Sequence, residues 1–275
     1  MIKDLSNWLV ASDIDGTLNN KMRKLPKRNY EAIDRFVNTL HGHFTLASGR
    51  GIESMRPHYE KLPIKNTPAV IINGAGIYDF KNEKLLYFNP VGKQGLEVVK
   101  KVLKKFPDCE VEIVTPEINY FVNAYFKAKF MLVGDPLQHK FYRNINQVPF
   151  GRWGKVIFIA TPARLKAIIK YISTLENDRL TFMSSSIVSY EMLGENTHKG
   201  SAVMKVARML GVDKAHTAAI GDYFNDYEML RSVGLPACCG QAPKGMQEIA
   251  VFHACHCNKG AVADLLEHIE NISNE

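Results

Sequence analysis

The sequence predicts an α/β protein in which an α+β insert interrupts a three-layer core built on a parallel sheet. Short apolar runs alternate with amphipathic segments before residue 75, and the same alternation resumes after Gly194. The stretch between these two parts has a different pattern and is rich in lysine. Strands that alternate with helices pair in parallel, because each helix returns the chain to the same end of the sheet. The 275 residues, of which 46% are apolar, suffice for one large domain or two smaller ones.

Local patterns predict each element of the first part in turn. The run from Trp8 to Asp13 is apolar and ends in carboxylates, which is typical of a buried strand that leads into a loop. Apolar residues lie at helical spacing between Arg28 and Leu40, and we expect an amphipathic helix there. Further strands are expected at 43–48 and 69–73, and a short helix, stopped or bent near Pro57, at 51–59.

The two later parts are predicted in the same way. In the insert we expect helices at 96–106 and 163–175, strands at 111–114 and 156–159, and a β-forming stretch at 181–189. After it we expect helices at 199–210, 225–231 and 261–269, with a strand at 217–220. Gly211 follows the first of these helices, as glycine commonly does. We therefore assign residues 1–85 and 187–275 to a Rossmann-like core and residues 86–186 to the insert.

The charge of the protein is concentrated in the insert. Lysine and arginine exceed aspartate and glutamate by 7, and residues 86–186 hold 15 basic and 8 acidic residues, which accounts for the whole excess. A basic surface attracts nucleic acid, an acidic membrane or a phosphorylated small molecule. It is also typical of a solvated face with no ligand.

Several function classes are disfavoured by composition. No apolar run approaches the roughly 18 residues of a membrane span, and the N-terminus does not resemble a secretory signal. Five irregularly spaced cysteines do not match a disulfide scaffold. We therefore expect a cytoplasmic protein with no membrane partner.

A first pair of carboxylates follows the first strand. Asp13 and Asp15 point the same way because side chains alternate along an extended chain. Carboxylates held together repel unless a cation or a shared proton relieves them. Gly16 permits a sharp turn and close approach of a ligand to the backbone. The same residues are also typical of a plain Asx turn.

A second carboxylate cluster follows the strand at 217–220. Asp222 ends that strand, and Asn225 and Asp226 begin the next helix at positions that also suit N-capping. The aspartates at 13, 15, 222 and 226 converge if the two strands are neighbours in the sheet. Oxygen ligands of this kind favour a hard cation, and Mg²⁺ is the natural choice.

Two further segments are typical of phosphate binding. Ser48, Gly49 and Arg50 lie at a turn from strand to helix, where backbone N–H groups and a hydroxyl bind anions. Lys199 begins a helix, and a lysine there gains nothing from the helix dipole, so its position suggests an anionic partner. Each of these two signals is weak when taken by itself.

In this order and spacing the motifs resemble the haloacid dehalogenase (HAD) superfamily of phosphotransferases, and most closely its Cof-type phosphatases. The resemblance covers essentially the whole chain. It rests on Asp-Ile-Asp-Gly-Thr-Leu from Asp13, Ser-Gly-Arg from Ser48, Asn-Gly-Ala from Asn73, Lys-Gly from Lys199, Gly-Asp-x-x-Asn-Asp from Gly221, and Asn-Lys-Gly-Ala-Val-Ala from Asn258.

The resemblance implies a Mg²⁺-dependent phosphatase that acts on small phosphorylated metabolites, with sugar phosphates foremost. Asp13 would be the nucleophile that forms an aspartyl-phosphate, and Asp15 the general acid and base. Ser48 and Lys199 would contact the transferring phosphoryl group. The resemblance also assigns a metal site to Asp13, Asp15, Asp222 and Asp226, and phosphate or substrate contacts to Gly16, Thr17, Gly49, Arg50, Asn73 and Asn225.

By the same resemblance the insert is a cap that closes over the site and selects the leaving group.

Two alternatives stay open: a phosphotransferase or mutase of the same superfamily, and a non-enzymatic module that binds nucleic acid or another anion. The aromatic run from Tyr120 to Phe130 is interleaved with lysines, but we interpret it as a cap helix and expect no nucleic-acid partner. We expect a monomer or small homo-oligomer. Tyr223, Phe224 and Gln241 depart from the family pattern, and we expect them to affect specificity without touching the catalytic residues.

Overall fold

The structure is a computed structural model, and it describes residues 3–65, 67–124 and 139–273. The first part contains β1 (Leu9–Ser12), α1 (Lys27–Asp34, continued as a π-helix over Arg35–Thr39), β2 (His43–Leu46), α2 (Ile52–Tyr59), β3 (Ala69–Ile71), β4 (Gly76–Asp79) and β5 (Lys84–Phe88). The middle part contains α3 (Gly92–Lys105), β6 (Glu110–Val114), β7 (Asn119–Val122), β8 (His139–Tyr142), β9 (Lys155–Ile159), α4 (Pro162–Ile172), β10 (Leu180–Ser186) and β11 (Ser189–Gly194). The last part contains α5 (Lys199–Leu210), β12 (Thr217–Gly221), α6 (Tyr227–Ser232), β13 (Leu235–Cys238), α7 (Lys244–Gln247), β14 (Phe252–His253) and α8 (Ala261–Ile272).

The central sheet has five parallel strands in the order β14-β13-β12-β1-β2, which confirms the predicted α/β core. Strand β1 lies between β12 and β2, with Ser12 opposite both Ile220 and Leu46. The residues that follow these three strands therefore emerge side by side at one edge of the sheet. Beyond β2, a parallel bridge from Ala47 to Val70 leads to a small antiparallel sheet of β3, β4 and β5.

Two apolar layers cover the faces of the central sheet, because successive side chains of β1 point to opposite sides. Val10 packs in a cluster with α1, α2 and α8, whereas Leu9 and Ala11 pack in a cluster with α5 and α6. These two clusters give the three layers that the sequence predicts. No helix among the described residues is long and apolar enough to cross a membrane.

The middle part forms its own six-stranded sheet in the order β10-β11-β9-β6-β7-β8. Its neighbours pair antiparallel except β7 with β8. Helices α3 and α4 cover one face, where Val98, Ile168 and the buried Trp153 share a cluster. From the opposite face Val114 and Leu193 pack into the apolar layer that contains α1. This second sheet therefore lies with its helix-free face against the core.

The short helix predicted at 51–59 is confirmed, since α2 ends at Tyr59 with Pro57 in its last turn. Three details differ from the sequence predictions. The strand expected to reach Asn73 ends at Ile71, since the next two residues have positive φ. Tyr120–Val122 lie in β7 rather than in a helix, and residues 125–130 of that prediction lie outside the described residues. Strand β11 pairs with β9 of the second sheet, although it lies beyond residue 186, where the sequence analysis places the end of the insert. We propose that the insert runs from α3 to β11.

Candidate active site

A polar pocket of about 390 Å³ lies where β1, β2 and β12 end. Its residues come from three strand ends of the core and from the second sheet. They are Asp13, Asp15, Ser48, Gly49, Arg50, Asn73, Lys155, Ser185, Glu191, Asp222, Tyr223 and Asn225. Most of the residues that the motifs single out therefore meet in one place, although they lie more than 200 positions apart in the chain. This convergence follows from the neighbouring positions of β1 and β12.

Lys199 lies beneath the pocket with its side chain fully buried. Its Nζ donates hydrogen bonds to Asp13 Oδ1 at 2.5 Å and to Asp226 Oδ1 at 2.6 Å. It is the first residue of α5, whose N-terminus is fixed by a capping box between His198 and Ser201. A rigid helix start thus holds one ammonium between two buried carboxylates.

The electrostatics of this cluster are those of an excess of buried negative charge. Burial raises the pKa of the Asp13 carboxyl to about 7, although Lys199 opposes the rise. Burial and the neighbouring Asp13 raise the pKa of Asp222 to about 6. Burial likewise raises the pKa of Asp226. Burial alone would lower the pKa of Lys199, but the attraction of Asp13 and Asp226 raises it above the ordinary value. All four pKa shifts are upward, which indicates a site that a bound cation would stabilise.

The carboxylates can hold such a cation. One oxygen from each of Asp13, Asp222 and Asp226 lies within 4.8 Å of the others. Asp226 is also engaged within the protein, since its Oδ2 accepts the backbone N–H of Asp222 at 3.1 Å. Three converging carboxylates with one ammonium fit a hard divalent cation such as Mg²⁺.

The loop after β1 is shaped around this cluster. Gly16 has φ +84°, and a side chain at that position would collide with the Asp222 carboxylate. Gln241 Nε2 donates to the Gly16 carbonyl at 2.6 Å, and its Oε1 accepts the backbone N–H of Cys257 at 3.0 Å. These two bonds reach none of the predicted catalytic residues, but they hold the loop that carries Asp15. The Gln241 side chain is one methylene longer than asparagine, which lengthens its reach.

Asp15 is tied to the loop after β2. Arg50 Nη2 donates to Asp15 Oδ2 at 2.7 Å, and the Asp15 side chain is 48% exposed. Asp15 is thus the accessible carboxylate of the pair, while Asp13 is buried. The two aspartates of one short motif therefore have different surroundings, Asp13 buried against Lys199 and Asp15 exposed beside Arg50.

The loops after β2 and β3 lock together. The backbone N–H of Asn73 donates to the Ser48 carbonyl at 2.9 Å, and that of Ile72 donates to the Arg50 carbonyl at 2.8 Å. Ile72 and Asn73 have φ of 50° and 51°. This left-handed conformation is unusual for Ile72, whose side chain is β-branched. Such backbone persists where surrounding contacts fix it. Here those contacts place Ser48 and Asn73 in the pocket wall.

The second sheet supplies a charged pair that sequence reasoning missed. Lys155 Nζ lies 3.2 Å from Glu191 Oε2, and both side chains are only 6% exposed. Asn73 Nδ2 from the core donates to the same Glu191 oxygen at 2.6 Å. Asn73 Oδ1 is buried and has no protein partner, so it is a free acceptor at the pocket. The only sequence signal was a charged residue within each of two apolar strands.

Four of the predicted residues do not line the pocket: Asp226, a predicted metal ligand that accepts from Lys199, and the predicted phosphate contacts Gly16, Thr17 and Lys199. Lys199 is buried under the carboxylates, and Gly16 contributes the turn beside Asp222. Thr17 is fully buried, with its hydroxyl 3.4 Å from Asp222 Oδ1. Their predicted phosphate contacts stay predictions. Positioning Asp13 and Asp222 is the role that these contacts support.

Comparisons with known proteins agree on one family. The sequence model of the haloacid dehalogenase-like hydrolase family matches residues 10–266 of this chain. A putative phosphatase of Streptococcus pyogenes serotype M6 is 26% identical over 94% of this chain and 97% of its own length. The 5-amino-6-(5-phospho-D-ribitylamino)uracil phosphatase YitU of Bacillus subtilis is 22% identical over 88% of this chain and 90% of its own. The structure of a haloacid dehalogenase-like hydrolase from Bacteroides thetaiotaomicron superposes with a TM-score of 0.84 at 17% identity, covering 95% of this chain and 99% of the other.

Proposed function

The chain belongs to the haloacid dehalogenase-like hydrolases and is a phosphatase, and we propose that it hydrolyses small phosphomonoesters through an aspartyl-phosphate on Asp13 with Mg²⁺ as cofactor. The observation that carries the proposal is the buried cluster of Asp13, Lys199, Asp222 and Asp226 at the base of an open polar pocket. A phosphorylated small molecule is the substrate, and sugar phosphates are the first class to test.

Asp13 is suited to attack phosphorus because Lys199 fixes its orientation from below. Its carboxylate oxygen forms a bond to phosphorus as the bond to the leaving alkoxide breaks. Phosphoryl transfer depends chiefly on positioning and on compensation of charge. Ser48, Gly49 and Asn225 line the pocket with a hydroxyl, a backbone turn and an amide that we assign to the phosphoryl oxygens.

Asp15 carries the protons. In its protonated form it gives a proton to the departing alkoxide, which leaves as an alcohol. The resulting carboxylate then takes a proton from water as the water oxygen attacks phosphorus. The bond between phosphorus and Asp13 breaks, and inorganic phosphate leaves. Arg50 holds the Asp15 side chain on the pocket side through its 2.7 Å contact.

We assign the Mg²⁺ ligands to the carboxylates of Asp13 and Asp222 and the backbone carbonyl of Asp15, with Asp226 as a further ligand or as the group that orients Asp222. When bound, Mg²⁺ supplies the positive charge that lets a dianionic phosphate approach a carboxylate. The residues of the chain fit this role because their three carboxylates converge within 4.8 Å. We also propose that the insert acts as the cap, since Lys155, Ser185 and Glu191 line the pocket from its side.

The test is phosphate release from a panel of phosphomonoesters, with Mg²⁺ or with EDTA, for the wild type and Asp13→Asn. We expect turnover that requires both the metal and Asp13. The matched control is Asp108→Asn, a surface carboxylate of the insert that pairs with Arg164. Phosphate transfer to an added alcohol without release of free phosphate would overturn the proposed hydrolysis and assign a phosphotransferase function instead. Salt-sensitive binding of nucleic acid that survives Asp13→Asn, with no turnover, would replace it by a binding role.

A further inference from the structure

A second cleft of about 620 Å³ opens beside the catalytic pocket and has mainly apolar walls. Helix α4 supplies one wall, β10 and the turn after it supply another, and the loop after β12 supplies the third. The apolar side chains are Pro162, Leu165, Ile169, Met183, Ile187, Tyr223 and Phe224, and the polar ones are Lys166, Ser184 and Ser186. We call this space the apolar cleft. Its size is that of a site for a small organic molecule.

The apolar cleft adjoins the catalytic pocket. Tyr223 lines both spaces. In β10, Ser185 lines the catalytic pocket while its neighbours Ser184 and Ser186 line the apolar cleft. A phosphomonoester with its phosphorus at Asp13 would therefore extend its leaving group past Tyr223 into the apolar cleft.

The two aromatic residues between the catalytic pocket and the apolar cleft are more exposed than is usual for aromatic side chains. Tyr223 and Phe224 are 46% and 48% exposed, and Ile187 across the cleft is 80% exposed. The two rings pack edge to face, with centroids 5.3 Å apart and planes at 68°. Adjacent exposed aromatic residues indicate a binding surface, because leaving them in water forgoes the gain from burial.

We propose that the apolar cleft binds the leaving group of the substrate and that Tyr223 and Phe224 select esters whose alcohol carries a flat aromatic or heteroaromatic ring. The proposal rests on the phosphatase function and places ring-bearing esters ahead of sugar phosphates as its substrates. A flat ring matches the edge-to-face geometry and buries both side chains. A polyol could pair with Lys166, Ser184 and Ser186 at the polar part of the wall, but its remaining hydroxyl groups would face Leu165, Ile169 and Met183.

The experiment compares three esters that all release a primary alcohol, so that the chemistry of the leaving group is nearly constant. They are ethyl, benzyl and 2-naphthylmethyl phosphate. We expect kcat/KM to be roughly tenfold higher for the aromatic esters than for ethyl phosphate, which corresponds to about 1.4 kcal/mol. Phe224→Ala should reduce this ratio several-fold, and Phe224→Leu should have an intermediate effect. Tyr30→Ala, which removes a similarly exposed ring from α1, should leave the ratio unchanged. A folding defect would lower all rates together and would not move the ratio.

A second measurement separates this inference from the phosphatase function. Binding of benzylphosphonate and ethylphosphonate is measured by calorimetry in the presence of Mg²⁺, and we expect the aromatic phosphonate to bind more tightly. Equal kcat/KM for all three esters would overturn the inference and leave the phosphatase function intact. Tighter binding of benzylphosphonate that depends on Phe224, without hydrolysis of any ester, would support the inference and overturn the function. Concentration-dependent dimerisation that is lost in Phe224→Ala, with an unchanged ester ratio, would assign the cleft to a second copy of the chain.

Discussion

Replacement of Lys199 by methionine tests how the buried charges are balanced. The side chain is fully buried, and its ammonium contacts Asp13 at 2.5 Å and Asp226 at 2.6 Å. Methionine has a similar length and fills most of the same space, so the main change is the loss of one positive charge. Two carboxylates then face each other without a cation between them.

The expected cost follows from the distance between those carboxylates. Oxygens of Asp13 and Asp226 lie within 4.8 Å of each other, and at an effective dielectric constant of 20 two unit charges at that distance repel by about 3.5 kcal/mol. In the wild type the attraction of Lys199 offsets this repulsion, and in the variant it is left uncompensated. The magnitude agrees with the roughly 3–5 kcal/mol typical of removing one member of a buried ion pair. We expect Lys199→Met to lower the free energy of unfolding by about this amount. We expect Lys199→Met/Asp226→Asn to recover a large part of the loss, because one of the two repelling charges is removed.

The assay is urea unfolding in EDTA, followed by circular dichroism, for the wild type and both variants. Lys244→Met is the matched control, because Lys244 is 90% exposed and forms only a surface pair with Glu248. If the free energy of unfolding of Lys199→Met lay within about 1 kcal/mol of the wild-type value, as for ordinary surface substitutions, the electrostatic argument would be refuted. So would a double variant that is less stable than the single variant. Both variants should lack phosphatase activity, so recovered stability without recovered activity separates folding from catalysis.

Three further predictions concern the pocket. Gln241→Ala removes the 2.6 Å hydrogen bond to the Gly16 carbonyl, and steady-state kinetics should show a fall in kcat of about tenfold with little change in KM; a change confined to KM would contradict this. MgCl₂ should raise the melting temperature of the wild type, because a cation relieves the repelling carboxylates, and Asp222→Asn should reduce that rise; equal rises in thermal-shift titrations would argue against Asp222 as a ligand. Glu191→Gln removes the negative charge 3.2 Å from Lys155 while keeping an acceptor for the core amide, so inorganic phosphate should inhibit several-fold more strongly; an unchanged inhibition constant would show that Lys155 does not face the anion.

The core of the site could be predicted because its residues are fixed by local rules. Asp13 and Asp222 follow strands that apolar runs reveal, and parallel strands end at one edge of a sheet. Gly16 signals its turn directly, and the structure bears this out with φ +84°. Lys199 was found through its place at a helix start, although its location beneath two carboxylates was not foreseen.

The contribution of the second sheet could not be predicted in the same way. Lys155 and Glu191 lie in strands of the insert, and they reach the pocket only because the helix-free face of their sheet packs on the core. That packing depends on many weak apolar contacts and leaves no short motif. The contact of Gln241 with Gly16 was not predicted for a related reason, since it joins residues 225 positions apart.

The charges around the pocket explain why metal and ester are expected to bind together. Five carboxylates line the pocket or lie directly beneath it, against three cations, a formal balance of −2. The carboxylates are Asp13, Asp15, Glu191, Asp222 and Asp226, and the cations are Arg50, Lys155 and Lys199. A phosphate dianion would be repelled by this balance, and one divalent cation cancels it. Of the 15 basic residues in the insert, Lys155 is the one that lines the pocket within the described part of the chain, and Glu191 neutralises it. We therefore expect the basic excess of the insert to affect the approach of an anionic substrate, and we expect the metal to govern binding of that substrate at the pocket.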